Sequence, residues 1–220
     1  MRKLFYNWLA DTIRIDGIVS VYRDTAFDDL IHYRSGGIRL FYNSEIEQIE
    51  GLKQGILLEA GFDTITPNTR INISSWAYEK AKKASIDIVD NRAAGIKCYH
   101  PGYTFVEKLQ TVATKFRQEQ ADIKRGPNFM RQYYDIYCLL NNENVQRFIG
   151  TKEYKSHKLE RFPRRDLIIP LFENQAFRLN DRSIRKEYQK RYQETKALYY
   201  NGQPDFEDLL SRINNNLHRF

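Results

Sequence analysis

Cysteine is scarce in this sequence, and its apolar runs are short. The 220 residues include two cysteines, Cys98 and Cys138, so the chain cannot build a disulfide framework or a four-cysteine metal site. The apolar runs, such as Ile56-Leu57-Leu58, fall far below the roughly 18 to 20 residues that cross a bilayer. We therefore expect no membrane contact and a reducing, cytoplasmic location.

Common catalytic signatures are also missing. The sequence contains no G-x-S-x-G elbow, no Walker loop and no G-x-G-x-x-G segment. None of the four histidines has a histidine partner four residues away, and the two cysteines are far apart in the sequence. These absences leave a nucleophile-elbow enzyme and a zinc site with little support.

The sequence is rich in aromatic residues and carries an excess of basic ones. Aromatic residues make up 14% and apolar residues 41%, which excludes a disordered chain, and the net charge of +7 favours an anionic partner. Most of that excess lies in residues 151–200, which hold 13 basic and 7 acidic residues. This stretch is either a solvated helical face or a surface for an anionic molecule.

The pattern before residue 100 is mainly that of strands. Short apolar segments separated by turn residues predict a mainly antiparallel sheet. An amphipathic helix is expected at the start of the chain, and another near Trp76 to Lys83. The predicted strands are 17–22, 37–42, 55–62, 70–73 and 86–89. The Gly36-Gly37 pair is interpreted as the turn into the second of them.

From Pro101 onward the pattern becomes helical. Two apolar stripes with helical spacing predict two helices that pack as a hairpin, joined by the turn-forming segment 122–128. The stripes are Phe105, Leu109, Val112, Phe116 and Phe129, Tyr133, Ile136, Leu140. Further helices are predicted at 143–149, 151–161, 183–200 and 204–217. The sequence thus predicts an α+β chain, with a sheet-containing domain at 1–100 and an all-helical region at 101–220.

Few residues could carry chemistry, and each has an ordinary alternative. Glu59 ends an apolar strand, where it is either a buried carboxylate that needs a partner or an edge-strand residue facing water. Lys108 lies off the apolar stripe of its helix, as a solvated lysine would. Arg131 and Asp135 are four residues apart, the spacing of an exposed ion pair.

Two segments together carry a family resemblance: YHPGYTFVEKLQT at 99–111 and RQYYDIYCLL at 131–140. In this order, and on predicted helices, they resemble the AbiEii/AbiGii toxin family of nucleotidyltransferases, which pairs an E-K-L helix with an R-D-x-x-D-L helix. Arg131 and Asp135 match the second motif, whereas Gln132 stands where its first Asp would be. The strand with Glu59 looks like the family's later acidic strand.

The resemblance implies a nucleotidyltransferase-like sheet and roles for these residues. Lys108 would bind the phosphates of a nucleoside triphosphate (NTP), Asp135 would orient that lysine or the acceptor, and Arg131 would support the phosphates or Asp135. Glu59 would be the third carboxylate, near Mg²⁺. Carboxylates that hold Mg²⁺ and a cation that neutralises phosphate are what nucleotidyl transfer requires. We therefore predict that Glu59, Lys108 and Asp135 share one cleft.

The sequence departs from the family at one motif. The family needs a Gly-Gly/Ser turn followed by an Asp-x-Asp pair, and no Asp-x-Asp occurs here. The nearest imitation is Gly36-Gly37 with Glu45 and Glu47. The chain thus looks like the latter two-thirds of such a protein, and one carboxylate from Glu59 is too few to hold two metal ions. We expect this chain by itself to transfer nucleotides poorly or not at all.

The function implied by the resemblance is transfer of a nucleotide from an NTP to an acceptor such as a tRNA 3′ end. The protein would be the toxin of a toxin–antitoxin system, with a cognate antitoxin as a partner. The alternative is a non-catalytic RNA- or protein-binding module that keeps the fold. We predict RNA contact by basic residues of one C-terminal helix. These are Arg182, Arg185, Lys186, Lys190 and Arg191.

Overall fold

The structure is a computed structural model that describes residues 1–48, 52–122, 126, 128–199 and 202–220. The chain divides into two compact units, residues 1–64 and residues 65–220. Both combine antiparallel strands with helices, in agreement with the predicted α+β class. The predicted division at residue 100 falls inside the second unit, where a strand leads into its longest helix.

The first unit is a helix beside a three-stranded antiparallel sheet. Its elements are α1 (Arg2–Thr12), β1 (Ile18–Asp24), β2 (Ser35–Tyr42) and β3 (Ile56–Gly61). The strand order is β1-β2-β3, so β2 is the central strand and carries the most buried residues, Ile38 and Leu40 among them. Leu9 and Ala10 of α1 pack against this cluster.

The two glycines of β2 are there because other groups approach the backbone closely. A Cβ atom on Gly36 would come within 2.6 Å of the Tyr6 ring, and one on Gly37 would come within 2.5 Å of the Asp24 carbonyl. Both glycines lie within the strand, Gly37 opposite Glu59. The expectation that they form the turn into the strand was therefore wrong, because the pairing of β2 begins earlier, at Ser35.

The second unit is mostly helical and carries one strand pair. Its strands β4 (Asn68–Ile73) and β5 (Ala93–Tyr99) pair antiparallel, with Ile71 opposite Ile96. Helices occupy much of the rest. They are α2 (Trp76–Lys83), α3 (Pro101–Gln120), α4 (Arg131–Leu139), α5 (Glu143–Phe148), α6 (Lys152–Arg161), α7 (Gln175–Arg178), α8 (Arg182–Gln193) and α9 (Phe206–Asn216). No helix in the described ranges combines the length and apolar character needed to cross a membrane.

The core of the second unit forms around α3. Every member of the two predicted apolar stripes is buried, which confirms that α3 and α4 face each other and the helices around them. Tyr133 is fully buried and donates its hydroxyl hydrogen bond to the Ala176 carbonyl at 2.6 Å, which ties α4 to α7. The predicted connection at 122–128 lies partly outside the described residues.

Two predictions of local structure need correction, and one short helix was missed. Residues 86–89 are not a strand, because β4 pairs with Ala93–Tyr99 instead; just before that strand the Asp90 carboxylate accepts from the backbone N–H of Arg92. Helix α8 ends at Gln193 and does not run to 200, because Thr195 and Gln203 occupy the Tyr192 carbonyl that a longer helix would use. The short helix α7 was not predicted.

Candidate functional site

The site is organised by α3, the longest helix of the second unit. The helix starts at Pro101, whose ring suits the first helical position, and the His100 Nδ1 atom accepts a hydrogen bond from the Gly102 N–H at 3.1 Å. The buried apolar stripe sets the rotation of the helix. As a result Glu107 and Lys108, which are adjacent in sequence, reach different neighbouring elements.

Lys108 joins α3 to α4. Its Nζ atom lies 2.7 Å from Oδ2 of Asp135 and donates to Oε1 of Gln132 at 3.0 Å. The two charged side chains keep 29% and 36% of their surface exposed, so the pair is accessible from solvent. The two motifs that the sequence singled out therefore meet through their charged residues, and the amide oxygen of Gln132 replaces the carboxylate that the motif would have there.

Arg131 occupies the first turn of α4 and is exposed. Among the described residues it forms no hydrogen bond or ion pair through its guanidinium, and Asp135 pairs with Lys108. The arrangement expected from an exposed Arg131–Asp135 pair is thus not found. A cation with all its donors available lies one helical turn from the Lys108–Asp135 pair, and its role at phosphate stays a prediction.

Glu107 has a role that sequence reasoning missed. The Tyr99 hydroxyl donates to Glu107 Oε1 at 3.2 Å, and the same oxygen lies 3.4 Å from His157 Nε2 and 3.5 Å from Arg161 Nη2. His157 is buried and its ring contacts Tyr103, with 4.6 Å between ring centroids. Glu107 therefore links α3 to β5 by a hydrogen bond and lies beside α6 through two longer contacts. The only sign of this in the sequence is that the E-K-L motif places an acid directly beside a base, Glu107 beside Lys108, so each can reach a different partner.

Glu59 lies in the first unit, on the edge strand β3. It is exposed and stands opposite Gly37, which matches the water-facing alternative for this residue. The described residues contain no group of three His, Cys, Asp or Glu side chains placed to hold a metal ion. Glu59 thus belongs to no such group in those ranges, and the described residues supply no donor set that fits Mg²⁺. A shared cleft of Glu59 with Lys108 and Asp135 stays a prediction.

The five basic residues predicted to meet RNA differ in their contacts within the chain, and their joint contact with RNA stays a prediction. Arg191 pairs with the buried Glu119 through two contacts of 2.8 and 2.9 Å, and Arg185 pairs with Glu207. These contacts engage both guanidinium groups with carboxylates of the same chain. Arg182, Lys186 and Lys190 are exposed and form no ion pair with described residues. Since they are four residues apart in turn, they form a single stripe along α8.

The chain is an α+β protein whose candidate site is a lysine held between two helices, an arrangement suited to the phosphates of a nucleotide. It belongs to the AbiEii family: the model described as "Nucleotidyl transferase AbiEii toxin, Type IV TA system" matches residues 2–212. The match confirms the family that the paired helical motifs indicated. Searches of curated proteins and of solved structures gave no match.

Proposed function

We propose that the protein binds an NTP at the Lys108–Asp135 pair and acts in nucleotidyl transfer to an RNA acceptor, as the toxin of its toxin–antitoxin system. The observation that carries this proposal is the contact between Lys108 and Asp135, which joins the two motif helices at 2.7 Å. Family membership supports a nucleotidyltransferase activity. The acceptor, a tRNA 3′ end in the first instance, and the antitoxin partner belong to the proposal.

The geometry of Lys108 suits a phosphate ligand. Asp135 and Gln132 hold the ammonium group in place, so little of its side-chain freedom remains to be lost when an anion binds. An ammonium carries three donors, and two of them face Asp135 and Gln132. The remaining donor is available for a phosphate oxygen, and Arg131 adds a second cation one turn away.

The proposed reaction moves a nucleoside monophosphate unit. An acceptor hydroxyl oxygen attacks the α-phosphorus of the NTP, a new P–O bond forms, the bond to the bridging oxygen breaks, and pyrophosphate leaves. The hydroxyl proton passes to solvent. Lys108 and Arg131 stabilise negative charge on the triphosphate and on the departing pyrophosphate. Because the described residues do not fit a metal ion, no step is assigned to one.

The stripe of Arg182, Lys186 and Lys190 supplies the proposed contact with the acceptor. Three cations on one exposed helical face suit the phosphates of an RNA backbone, because such contacts need charge and spacing more than base-specific hydrogen bonds. The buried tyrosines Tyr188 and Tyr192 lie on the opposite side of α8 and pack into the core. Cations and packing residues are therefore separate on this helix.

Binding and transfer can be tested separately. Calorimetry of NTP binding should give a measurable affinity for the chain, lost by about tenfold or more in Lys108→Ala and unchanged in Lys155→Ala, which removes an exposed lysine of α6. Equal binding by all three proteins contradicts the proposal. Labelled-nucleotide incorporation into RNA should be weak for this chain by itself. Robust incorporation that Lys108→Ala abolishes would show that metal-holding acids are present and that the prediction of weak transfer is wrong.

The second candidate function is a non-catalytic RNA-binding module. It is favoured by one observation, the lack of a metal-ligating cluster among the described residues. A module of this kind binds RNA through the α8 stripe and shows no NTP affinity that depends on Lys108. The same calorimetry, run with RNA and with NTP, distinguishes the two functions.

A further inference from the structure

An aromatic pair adjoins the Lys108–Asp135 site. Tyr134 lies on α4 next to Asp135, and Tyr199 follows a short 3₁₀ turn at Lys196–Leu198. Their ring centroids are 4.3 Å apart, and the rings are tilted by 50°. Both rings are half-buried, so part of their surface faces solvent.

The Tyr199 ring contacts Tyr134 on the face of α4 that also carries Arg131 and Asp135. The charges of Arg131 and Asp135 both act on its hydroxyl, and Cys138, which is also exposed, follows on the same face. Arg131, Tyr134, Asp135 and Cys138 have the spacing of one helical stripe. From first to last this stripe rises about 10 Å along the helix axis, comparable with the length of a nucleotide.

Polar contacts of its hydroxyl group hold Tyr199 in position. Its hydroxyl oxygen lies 3.3 Å from Oγ1 of the buried Thr195, and the Gln203 amide donates to that same Oγ1 at 3.2 Å. The Gln203 amide also donates to the Tyr192 carbonyl at 2.6 Å. Burial raises the pKa of the Tyr199 hydroxyl, which stays protonated and neutral around pH 7. A fixed, neutral ring is a suitable stacking surface, because little freedom is lost on binding.

We propose that Tyr199, supported by Tyr134, contacts the nucleobase of the NTP whose phosphates are bound by Lys108 and Arg131. This inference rests on the proposed function of that site. A phosphate-binding pair alone does not distinguish an NTP from inorganic polyphosphate, whereas an aromatic ring beside it adds affinity for the base. Because the two rings already contact each other, the base stacks on the solvent-facing side of the pair.

A stacking contact has a consequence for specificity. Every nucleobase has a π face, so stacking tolerates all four bases. The Tyr199 hydroxyl, already beside Thr195, offers little further discrimination. The four NTPs should therefore bind within a few-fold of one another.

The test compares NTPs with inorganic tripolyphosphate, which carries the phosphates without the base. In calorimetry, Tyr199→Ala should weaken binding of ATP, CTP, GTP and UTP by about tenfold and leave tripolyphosphate binding unchanged. Tyr199→Phe, which keeps the ring, should stay within about twofold of the unmodified chain. Tyr42→Ala removes an exposed tyrosine of the first unit and serves as the matched control.

A second variant guards against a folding defect, since Tyr199 also packs near Tyr192. Tyr199→Leu keeps apolar bulk without a π face and should lose NTP affinity as Tyr199→Ala does, at an unchanged thermal midpoint. Unchanged NTP affinity in Tyr199→Leu, or an equal loss for tripolyphosphate, overturns the inference. Failure of the proposed function looks different: the unmodified chain then binds neither NTP nor tripolyphosphate in a manner that depends on Lys108, and both proposals fall together.

Discussion

Arg191 of α8 and Glu119 of α3 form a bidentate ion pair, with 2.8 Å between Nη1 and Oε2 and 2.9 Å between Nη2 and Oε1. The Glu119 side chain is 4% exposed, and the Tyr188 hydroxyl donates to it at 3.1 Å. The Gly126 N–H donates to the same carboxylate at 3.3 Å, and Arg191 donates to the Gly126 carbonyl at 3.2 Å. The pair thus connects the end of α3, α8 and the segment before α4.

Removing Arg191 should therefore destabilise the fold. Arg191→Ala leaves a buried carboxylate without its cation, which costs about 3 to 5 kcal/mol in the free energy of unfolding. Lys190→Ala, at the next and exposed position, should change it by less than about 0.5 kcal/mol. Urea denaturation of the two variants measures the difference, and similar values for both would show that Arg191 is an ordinary surface residue.

The free energy of unfolding should fall in acid, because the buried carboxyls of Glu119 and Asp166 have lowered pKa values. Burial alone would raise the pKa of Glu119 and of Asp166, but hydrogen bonds from Arg191 and from Arg117 outweigh it in the two cases. A carboxyl with a lowered folded-state pKa stabilises the fold above its ordinary value, 4.5 for Glu and 3.8 for Asp, and loses that contribution as pH falls through the folded value.

We expect the free energy of unfolding to be level near pH 6 to 7 and to fall steadily below about pH 4.5. In Asp166→Asn the chain should be less stable at pH 7, because Arg117 loses its charged partner, and its decline in acid should be shallower. Urea denaturation at several pH values gives both curves. Parallel curves for the two proteins would show that Asp166 does not contribute to the acid sensitivity.

Lys108 should matter much more for ligand binding than for folding. The Lys108–Asp135 pair is partly exposed, and pairs of this kind contribute about 0 to 1 kcal/mol to stability. Lys108→Ala should therefore keep its urea midpoint close to that of the unmodified chain while losing NTP affinity. A loss of several kcal/mol in stability would assign Lys108 a structural role.

The α8 stripe should control the salt dependence of RNA binding. Replacing Arg182, Lys186 and Lys190 together with Gln should lower the slope of log affinity against log salt by about 2 to 3, because up to three phosphate contacts disappear. The matched control replaces three basic residues of α2, Lys80, Lys82 and Lys83, and removes the same charge. A titration at three salt concentrations measures the slope. If both triple variants behave alike, net charge and not the stripe accounts for binding.

Sequence reasoning succeeded where a pattern has a local cause. Phe105, Leu109 and Val112 recur at helical spacing, and all three are buried in α3. The helix at Trp76–Lys83 was predicted at its observed bounds, since Ser75 caps it by accepting from the Tyr78 N–H. In such segments spacing and capping chemistry are read from neighbouring residues, so no distant contact is needed.

Prediction from the sequence failed where contacts between distant residues determine the structure. The apolar residues at 86–89 have strand character, but β4 pairs with Ala93–Tyr99. Which segment pairs with β4 depends on contacts between the strands and not on the propensity of either segment alone. Arg191 and Lys190 are both bases on one helix, and only one of them lies opposite a buried carboxylate. Glu119 is 72 residues from Arg191 in the sequence, so composition and charge runs carry no sign of the contact.

By itself the sequence determined the α+β class, the principal helices and the family, because the apolar spacing and the two helical motifs are local features. Only the tertiary structure decided which charged groups are available. It pairs Lys108 with Asp135 and Arg191 with the buried Glu119. Arg131 has no ion pair among the described residues. The physical reason is that a buried charge must be paired, and the partner is set by how the helices pack around the core.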